Sequence, residues 1–242
     1  MLWQTALERW LRVRVSPTTT IALGMSVWLL YVADRILDGI TAPESNARPR
    51  HHFYLRNRKW VALAAAPLAI LTLALAFTFL TSALLRDYLV LAAGVCLYFG
   101  MVHAAPRKLR ALWPKELAVA IFFAAGVCLP IWTARPALHT AWPAFAAFTA
   151  LLWMNICGIE FWEGDRTGVM RPRLVIAASI ALALGCAITA RAPAHQPALW
   201  AAMGLSSGLL AALGRFRDHF SKNAIRVLAD AALLTPLLLP HF

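Results

Sequence analysis

Apolar residues dominate eight stretches of the chain, and most of these are close to the length of about 20 residues that a helix needs to cross a bilayer. The stretches cover residues 17–38, 60–82, 88–105, 115–134, 140–160, 173–191, 197–213 and 225–240. Polar residues collect between them, and tryptophans fall near several of their ends, as in the aromatic belts of membrane proteins. The pattern predicts an all-α, polytopic membrane bundle of about eight transmembrane helices.

The first sixteen residues follow a different, amphipathic pattern. One helical face carries Trp3, Leu7, Trp10 and Leu11, and the opposite face carries Gln4, Glu8, Arg9 and Arg12. Such a segment typically lies on the membrane surface with its apolar side toward lipid. We therefore expect an interfacial segment over residues 1–16 and a transmembrane domain over residues 17–242.

Composition narrows the class of partner. Residues are 61% hydrophobic and 14% charged, which excludes an ordinary soluble domain, and the formal net charge is +12. In a soluble protein that charge would suggest nucleic acid as a partner. Here the charges lie between apolar stretches, so membrane lipids or an anionic membrane substrate fit better, and we expect no nucleic-acid partner.

The basic residues are distributed unevenly between the two faces of the membrane. Sixteen of the twenty-three Lys and Arg residues fall in four alternate loops, at residues 39–59, 106–115, 161–173 and 214–226. The positive-inside rule assigns these loops to the cytoplasmic side of the cell inner membrane. Arg9, Arg12 and Arg14 conflict with this assignment, so the side of the N-terminal segment stays open.

Two carboxylates lie near the end of the first stretch. Asp34 and Asp38 are four residues apart, so on a helix they share one face with Tyr31, one turn earlier. Two carboxylates on one face repel each other unless a cation lies between them. Alternatively, Asp34 and Asp38 belong to a solvated helix end and pair with Arg35 and the following loop.

A second polar cluster ends the fifth stretch and contains Asn155, Glu160, Glu163 and Asp165. Its three carboxylates fall within six residues and adjoin a basic loop. Oxygen ligands that leave room for water are what magnesium prefers, especially when phosphate oxygens complete its shell. The alternative is a solvated loop with local salt bridges.

The two clusters and their placement resemble the UbiA superfamily of intramembrane prenyltransferases, over roughly residues 17–242 and without the first family helix. Asp34 and Asp38 match the DxxxD half of the first family motif, and the segment 163–168, Glu-Gly-Asp-Arg-Thr-Gly, is similar to the ExDRxxG ending of the second. Tyr98, with the Arg-Lys pair at 107–108, is similar to a Tyr and Lys-Arg stretch of the family.

The chain also departs from the family pattern in both motifs. Leu30-Tyr31 replaces the leading Asn-Asp of the first motif. Phe161 stands at the first Asp of the second motif, which leaves Glu160 as a possible substitute. Fewer oxygen ligands would mean altered metal binding, a divergent reaction or lost activity.

The resemblance implies a magnesium-dependent enzyme that ionises a polyprenyl diphosphate and transfers the prenyl group to an aromatic or lipid acceptor. The expected metal ligands are Asp34, Asp38, Glu160, Glu163 and Asp165, and all of these except Glu160 are also the expected catalytic residues. Residues expected to bind substrate are Tyr31, Arg35, Arg48, Arg50, Arg56, Tyr98, Arg107, Lys108, Asn155 and Arg166. Aromatic residues that could shield a carbocation are Tyr31, Tyr98, Phe122, Phe123, Trp153 and Trp162.

Two other functions remain open at this point. A terpene cyclase of the same superfamily would act on the same class of diphosphate, and the altered first motif and small size suit it. A transporter or a non-catalytic lipid-binding protein would explain the missing motif residues.

Overall fold

The computed structural model describes residues 1–41, 56–104, 115–135, 141–162, 172–191 and 197–238, without the side chains of residues 38–41, 103, 104 and 172. Every regular element in these ranges is helical, which confirms the all-α prediction. The α-helices are α1 (Leu2–Leu11), α2 (Pro17–Thr41), α3 (Arg58–Phe79), α4 (Ser82–Ala104), α5 (Lys115–Ala134), α6 (Trp142–Trp162), α7 (Pro172–Ala190), α8 (Pro197–Phe216) and α9 (Lys222–Ala231). Two 3-10 helices follow α8 and α9, at Arg217–His219 and Ala232–Leu238.

Within the described residues, seven helices are long and apolar enough to cross a membrane. They are α2 to α8, and they correspond to the first seven predicted stretches. Pro17, Pro172 and Pro197 each occupy the first position of a helix, where a missing N–H costs no hydrogen bond. The chain is therefore a polytopic membrane protein.

The chain forms two compact units, and the first comprises Met1 and Val15–Trp113. In this unit α2 packs against α3 and α4. Both α3 and α4 expose large apolar side chains, among them Trp60, Ile70 and Leu97. Such surfaces suit contact with lipid tails and would be unfavourable in water.

The second unit comprises Leu2–Arg14 and Pro114–Phe242. Its central helix, α8, contacts α6, α7, α9 and the last 3-10 helix. A Cβ atom at Gly204 of α8 would lie only 3.3 Å from Cβ of Cys186 in α7. Glycine thus allows these two helices to approach closely, as small residues do between membrane helices.

The eighth predicted stretch, residues 225–240, is not one continuous α-helix. It comprises most of α9 and then the 3-10 helix Ala232–Leu238, which contains Pro236. Proline cannot donate a backbone hydrogen bond and clashes with the carbonyl of the preceding turn, which accounts for the change of helix type.

This broken segment runs back along α8. It begins just after α8 ends, yet Thr235 near its other end donates a hydrogen bond of 2.9 Å to the carbonyl of Ala202, early in α8. The Thr235 hydroxyl also lies 2.7 Å from that of Ser206, and both side chains are buried. These contacts place the 3-10 helix Ala232–Leu238 beside the first half of α8.

A side chain from α1 satisfies a carbonyl that proline leaves without a donor. In a 3-10 helix the carbonyl of Leu233 would accept from the N–H of residue 236, which is proline and has none. Instead, Nε1 of Trp3 donates to that carbonyl at 2.9 Å. The Trp3 ring also packs on Phe148 of α6, with 5.2 Å between ring centroids. Trp3 therefore ties α1 to two other elements of the second unit.

The burial of side chains in α1 agrees only in part with the amphipathic pattern of the N-terminal segment. Its Trp3 and Leu7 side chains are buried by protein, since α1 contacts α5, α8 and the last 3-10 helix. Gln4, predicted on the polar face, is fully buried, and that part of the prediction is wrong. The helix lies between protein elements, so burial does not follow its apolar face alone.

Replacing Trp3 by Phe should lower the free energy of unfolding by about 1–2 kcal/mol, because the Leu233 carbonyl would lose its donor in an apolar region. Pro236→Ala should reduce that cost, since residue 236 would then supply its own N–H. Reversible unfolding in mixed detergent measures both effects in a double-mutant cycle. Trp142→Phe, at a side chain that is 56% exposed, is the matched control. Equal costs of Trp3→Phe in both backgrounds would contradict the assignment.

Candidate functional site

The end of the second unit where α5 and α9 begin and α6 and α8 end, called here the charged end, brings several ionisable side chains together. Nζ of Lys115, the first residue of α5, lies 2.9 Å from Oε1 of Glu160, near the end of α6. The same ammonium lies 3.7 Å from Oε1 of Glu116. Two carboxylates from different helices therefore share one lysine.

Glu116 is the less usual member of this cluster. Its residue is only 3% exposed, and neither carboxylate oxygen accepts a hydrogen bond of good geometry. Its position in the first turn of α5 is favourable for a negative charge because of the helix dipole. A buried carboxylate is nevertheless expensive in a membrane protein and is a functional-site candidate for that reason.

Aromatic and basic side chains line a cavity beside this cluster, formed around the end of α6 and the start of α9. The cavity has a volume of about 310 Å³. Its lining residues are Phe161, Trp162, Arg217, Asp218, Phe220, Lys222 and Ile225. Cζ of Arg217 lies 4.9 Å from the centroid of the Phe161 ring, a cation–π geometry. The cavity can hold a small anionic or polar group against aromatic surfaces.

Two glycines determine where the Trp162 ring lies. A Cβ atom at Gly158, one turn earlier in α6, would come within 2.8 Å of the ring. One at Gly214 of α8 would come within 3.4 Å of it and within 2.8 Å of Ile176. Because neither glycine has a side chain, the indole can lie flat between α6 and α8 at the rim of the cavity.

Asn155 joins α6 to α9. Its residue is 6% exposed, and its side chain is hydrogen-bonded to the carboxylate of Asp230. Asp230 also interacts with Arg226, one turn earlier in α9. The Asn155 amide oxygen has no hydrogen-bond partner among the described residues. Asn155 thus has a structural contact, and its predicted contact with substrate stays a prediction.

The first acidic cluster lies on α2 in the other unit. Helix α2 continues to Thr41, so residues 34 and 38 are both helical and one turn apart, as predicted. A guanidinium nitrogen of Arg35 lies 3.8 Å from Oδ2 of Asp34, and Cζ of Arg35 lies 4.9 Å from the centre of the Tyr31 ring. The Asp34–Arg35 pair is one that the solvated-helix-end alternative predicts.

The remaining predicted site residues divide into described and undescribed ones. Arg56 is exposed, and the Tyr98 ring lies 5.8 Å from that of Phe99. The side chain of Asp38 and the residues Arg48, Arg50, Arg107, Lys108, Glu163, Asp165 and Arg166 lie outside the described part of the chain. Their predicted roles stay predictions.

A preformed metal site is not present in the described ranges, where no three His, Cys, Asp or Glu side chains are grouped closely enough to hold an ion. Glu160, a predicted metal ligand, is paired with Lys115. A cation that binds Glu160 must therefore displace the ammonium or share the carboxylate with it. The oxygen chemistry of Glu160 and Glu116 suits a hard divalent cation.

Sequence reasoning missed Glu116 and Arg217 as members of the charged end. Glu116 is the second residue of its apolar stretch and belongs to neither acidic motif. The available signal was a carboxylate inside a segment long enough to span the membrane. Arg217 had no distinguishing signal, since it is one of several basic residues in its loop.

Comparison with known proteins adds no relative. No protein-family model, no curated protein and no solved structure matches the chain.

The Asn155–Asp230 contact should be measurable as a coupling energy. We expect the cycle of Asn155→Leu, Asp230→Leu and the double variant to give about 0.5–1.5 kcal/mol, the range of hydrogen bonds between membrane helices. Unfolding in mixed detergent measures it. The control cycle pairs Asn155→Leu with Asp218→Leu, at a carboxylate whose side chain is 84% exposed. A coupling no larger than the control would show that the two side chains do not interact.

Proposed function

We propose that this protein is a magnesium-dependent intramembrane enzyme that ionises a polyprenyl diphosphate and transfers the prenyl group to an aromatic or lipid acceptor. The observation that carries the proposal is the pair of acidic motifs, one on α2 and one just after α6. Asp34 and Asp38 belong to the first, and Glu163 and Asp165 to the second. Each motif adjoins a loop that contains at least three arginines.

Residues of the first motif have chemistry suited to a diphosphate and its metal. The carboxylate of Asp34 lies beside the guanidinium of Arg35. One turn of α2 therefore offers an oxygen ligand for a metal ion and a hydrogen-bond donor for phosphate oxygens. Bound magnesium would neutralise the diphosphate and make it a better leaving group. Arg35 would then hold the departing diphosphate by charge-assisted hydrogen bonds.

Charge balance supports a role for the basic loops. Four motif carboxylates together with a diphosphate carry more negative charge than two magnesium ions neutralise. Arg48, Arg50, Arg56, Arg107, Lys108 and Arg166 are available to supply the difference. In a site of low dielectric each of these interactions is stronger than in water.

Aromatic side chains would protect the allylic cation from water. The Trp162 ring, held at Gly158 and Gly214, and the Phe161 ring face the cavity at the charged end. Ring faces stabilise a neighbouring positive charge without reacting with it.

The basic loops also suggest how the enzyme is oriented. Sixteen basic residues in alternate loops favour an active site that faces the cytoplasm from a cell inner membrane. A water-soluble diphosphate product would then leave on the side where it was formed.

A non-catalytic lipid-binding protein is the second candidate, and one contact favours it. Glu160 is already neutralised by Lys115 at 2.9 Å, and the first positions of both motifs are altered. Such a protein would bind anionic lipid through its basic loops and release no diphosphate. A terpene cyclase and a prenyltransferase both begin by ionising the diphosphate and differ only in the later steps. Analysis of the products therefore distinguishes the two activities.

Asp34→Ala and Asp165→Ala should each reduce diphosphate release by at least about a hundredfold, since each removes stabilisation of the developing charge. The assay supplies labelled geranyl, farnesyl and geranylgeranyl diphosphates with magnesium to the purified protein, and extracts the lipid products. Asp87→Ala is the matched control, because Asp87 belongs to neither motif and, like Asp34, pairs with an adjacent arginine.

Near wild-type turnover in both motif variants would refute the proposed site. Absence of diphosphate release from the wild-type protein, with binding of anionic vesicles intact, would leave the lipid-binding function.

A further inference from the structure

We propose that Glu116 and Glu160 form a binding site for a divalent cation of the magnesium or manganese type, and that the Lys115 ammonium occupies this site until the cation arrives. The site takes Glu160 from the second acidic cluster and adds Glu116 and Lys115, which belong to neither motif. It lies wholly in the second unit, at the charged end.

The geometry places one ammonium where a cation would bridge two helices. Lys115 Nζ is 2.9 Å from Glu160 and 3.7 Å from Glu116. Among the described residues, the charged groups that act on Glu116 are Glu160 and Lys115. Two carboxyl groups from different helices therefore converge on a single ammonium.

The Lys115–Glu160 salt bridge does not explain why Glu116 is buried beside it. Lys115 and Glu160 already form a close pair, so a third, negative group adds repulsion and desolvation cost. Yet the Glu116 side chain is 2% exposed, and its oxygens accept no hydrogen bond of good geometry. A ligand that takes oxygens from both carboxylates would satisfy them.

A hard divalent cation fits this pair better than an ammonium does. Its charge of +2 balances both carboxylates. It can coordinate one carboxylate oxygen from each helix and retain several water ligands. A cation can reach the site from outside the protein, because the Lys115 side chain is 48% exposed and the Glu160 side chain is 22% exposed. Glu116 forms the inner wall of the site.

Displacement of Lys115 also gives the site a role in the reaction, and this step rests on the proposed function. A diphosphate that arrives with its cation would attract the released ammonium, which is a mobile donor on a flexible stem. Lys115 would then be a positioning residue for the substrate. The cation site itself does not depend on this step.

The test is manganese binding, followed by electron paramagnetic resonance, with no prenyl diphosphate present. Lys115→Met keeps the apolar stem and removes the competing charge. If the ammonium is bound more than about nine-tenths of the time, this variant should bind Mn²⁺ at least about tenfold more tightly than the wild type. Lys59→Met is the matched control, a lysine that is also in the first turn of a spanning helix and is exposed.

Adding Glu116→Gln or Glu160→Gln to the Lys115→Met variant should remove the gain. Lys115→Met and Glu116→Gln change no residue of either acidic motif, so the comparison of these two variants isolates this site, and Glu160→Gln is the supporting measurement. Equal Mn²⁺ affinity in wild type and Lys115→Met, or a gain that survives Glu116→Gln, would overturn the proposal and leave a structural salt bridge.

A second variant covers the case in which Lys115→Met does not fold. Glu116→Gln alone retains the Lys115–Glu160 pair, and it should bind Mn²⁺ at least about tenfold more weakly than the wild type at this site, as expected for loss of a ligand. Unchanged binding would refute the site. Because no prenyl substrate is used, this result is separate from failure of the diphosphate-release assay.

Discussion

Polar groups in the hydrocarbon layer must find their partners within the protein, because no water is available there. The C-terminal segment shows the consequence. Pro236 cannot supply an N–H to the carbonyl of Leu233, and the indole of Trp3 supplies one from α1 at 2.9 Å. Thr235 similarly donates to the carbonyl of Ala202 on α8. A single proline thus makes the C-terminal 3-10 helix depend on an N-terminal helix more than 200 residues away in the chain.

The same constraint shapes the charged end of the second unit. Isolated charges would be too costly at a membrane boundary, so Lys115, Glu116 and Glu160 lie together, and Asp230 lies beside Asn155 and Arg226. These groups neutralise one another only in part. Two carboxylates that share one ammonium leave a place for further positive charge, which is a physical reason to expect a cation there.

Hydropathy alone was sufficient to predict the fold class and seven of the helices, because length and apolar composition leave few structures that can cross a bilayer. It failed at residues 225–240, where Pro236 converts the end of the segment to a 3-10 helix. It also failed at Gln4, whose burial depends on which elements surround α1 and not on the helical period. Tertiary contacts of this kind leave no periodic signal in the sequence.

For the site, spacing along a helix was the reliable guide, and pairing between helices was not. The spacing of Asp34 and Asp38 was sufficient to predict that both lie on α2 one turn apart. Nothing in the sequence indicated that Lys115 would lie against Glu160, 45 positions later, because that contact depends on the packing of α5 against α6. The burial of Glu116 also depends on tertiary packing, although its place inside a spanning segment is a signal in the sequence.

The proposed function, a magnesium-dependent reaction of a prenyl diphosphate, is tested most directly by thermal unfolding of the purified protein. Magnesium together with a non-hydrolysable prenyl diphosphate analogue should raise the melting temperature by far more than the sum of their separate effects, since a ligand stabilises only the state that binds it. The double variant Asp38→Asn with Glu163→Gln should lose this synergy. Additive shifts in the wild-type protein, or synergy that survives in the double variant, would contradict the account.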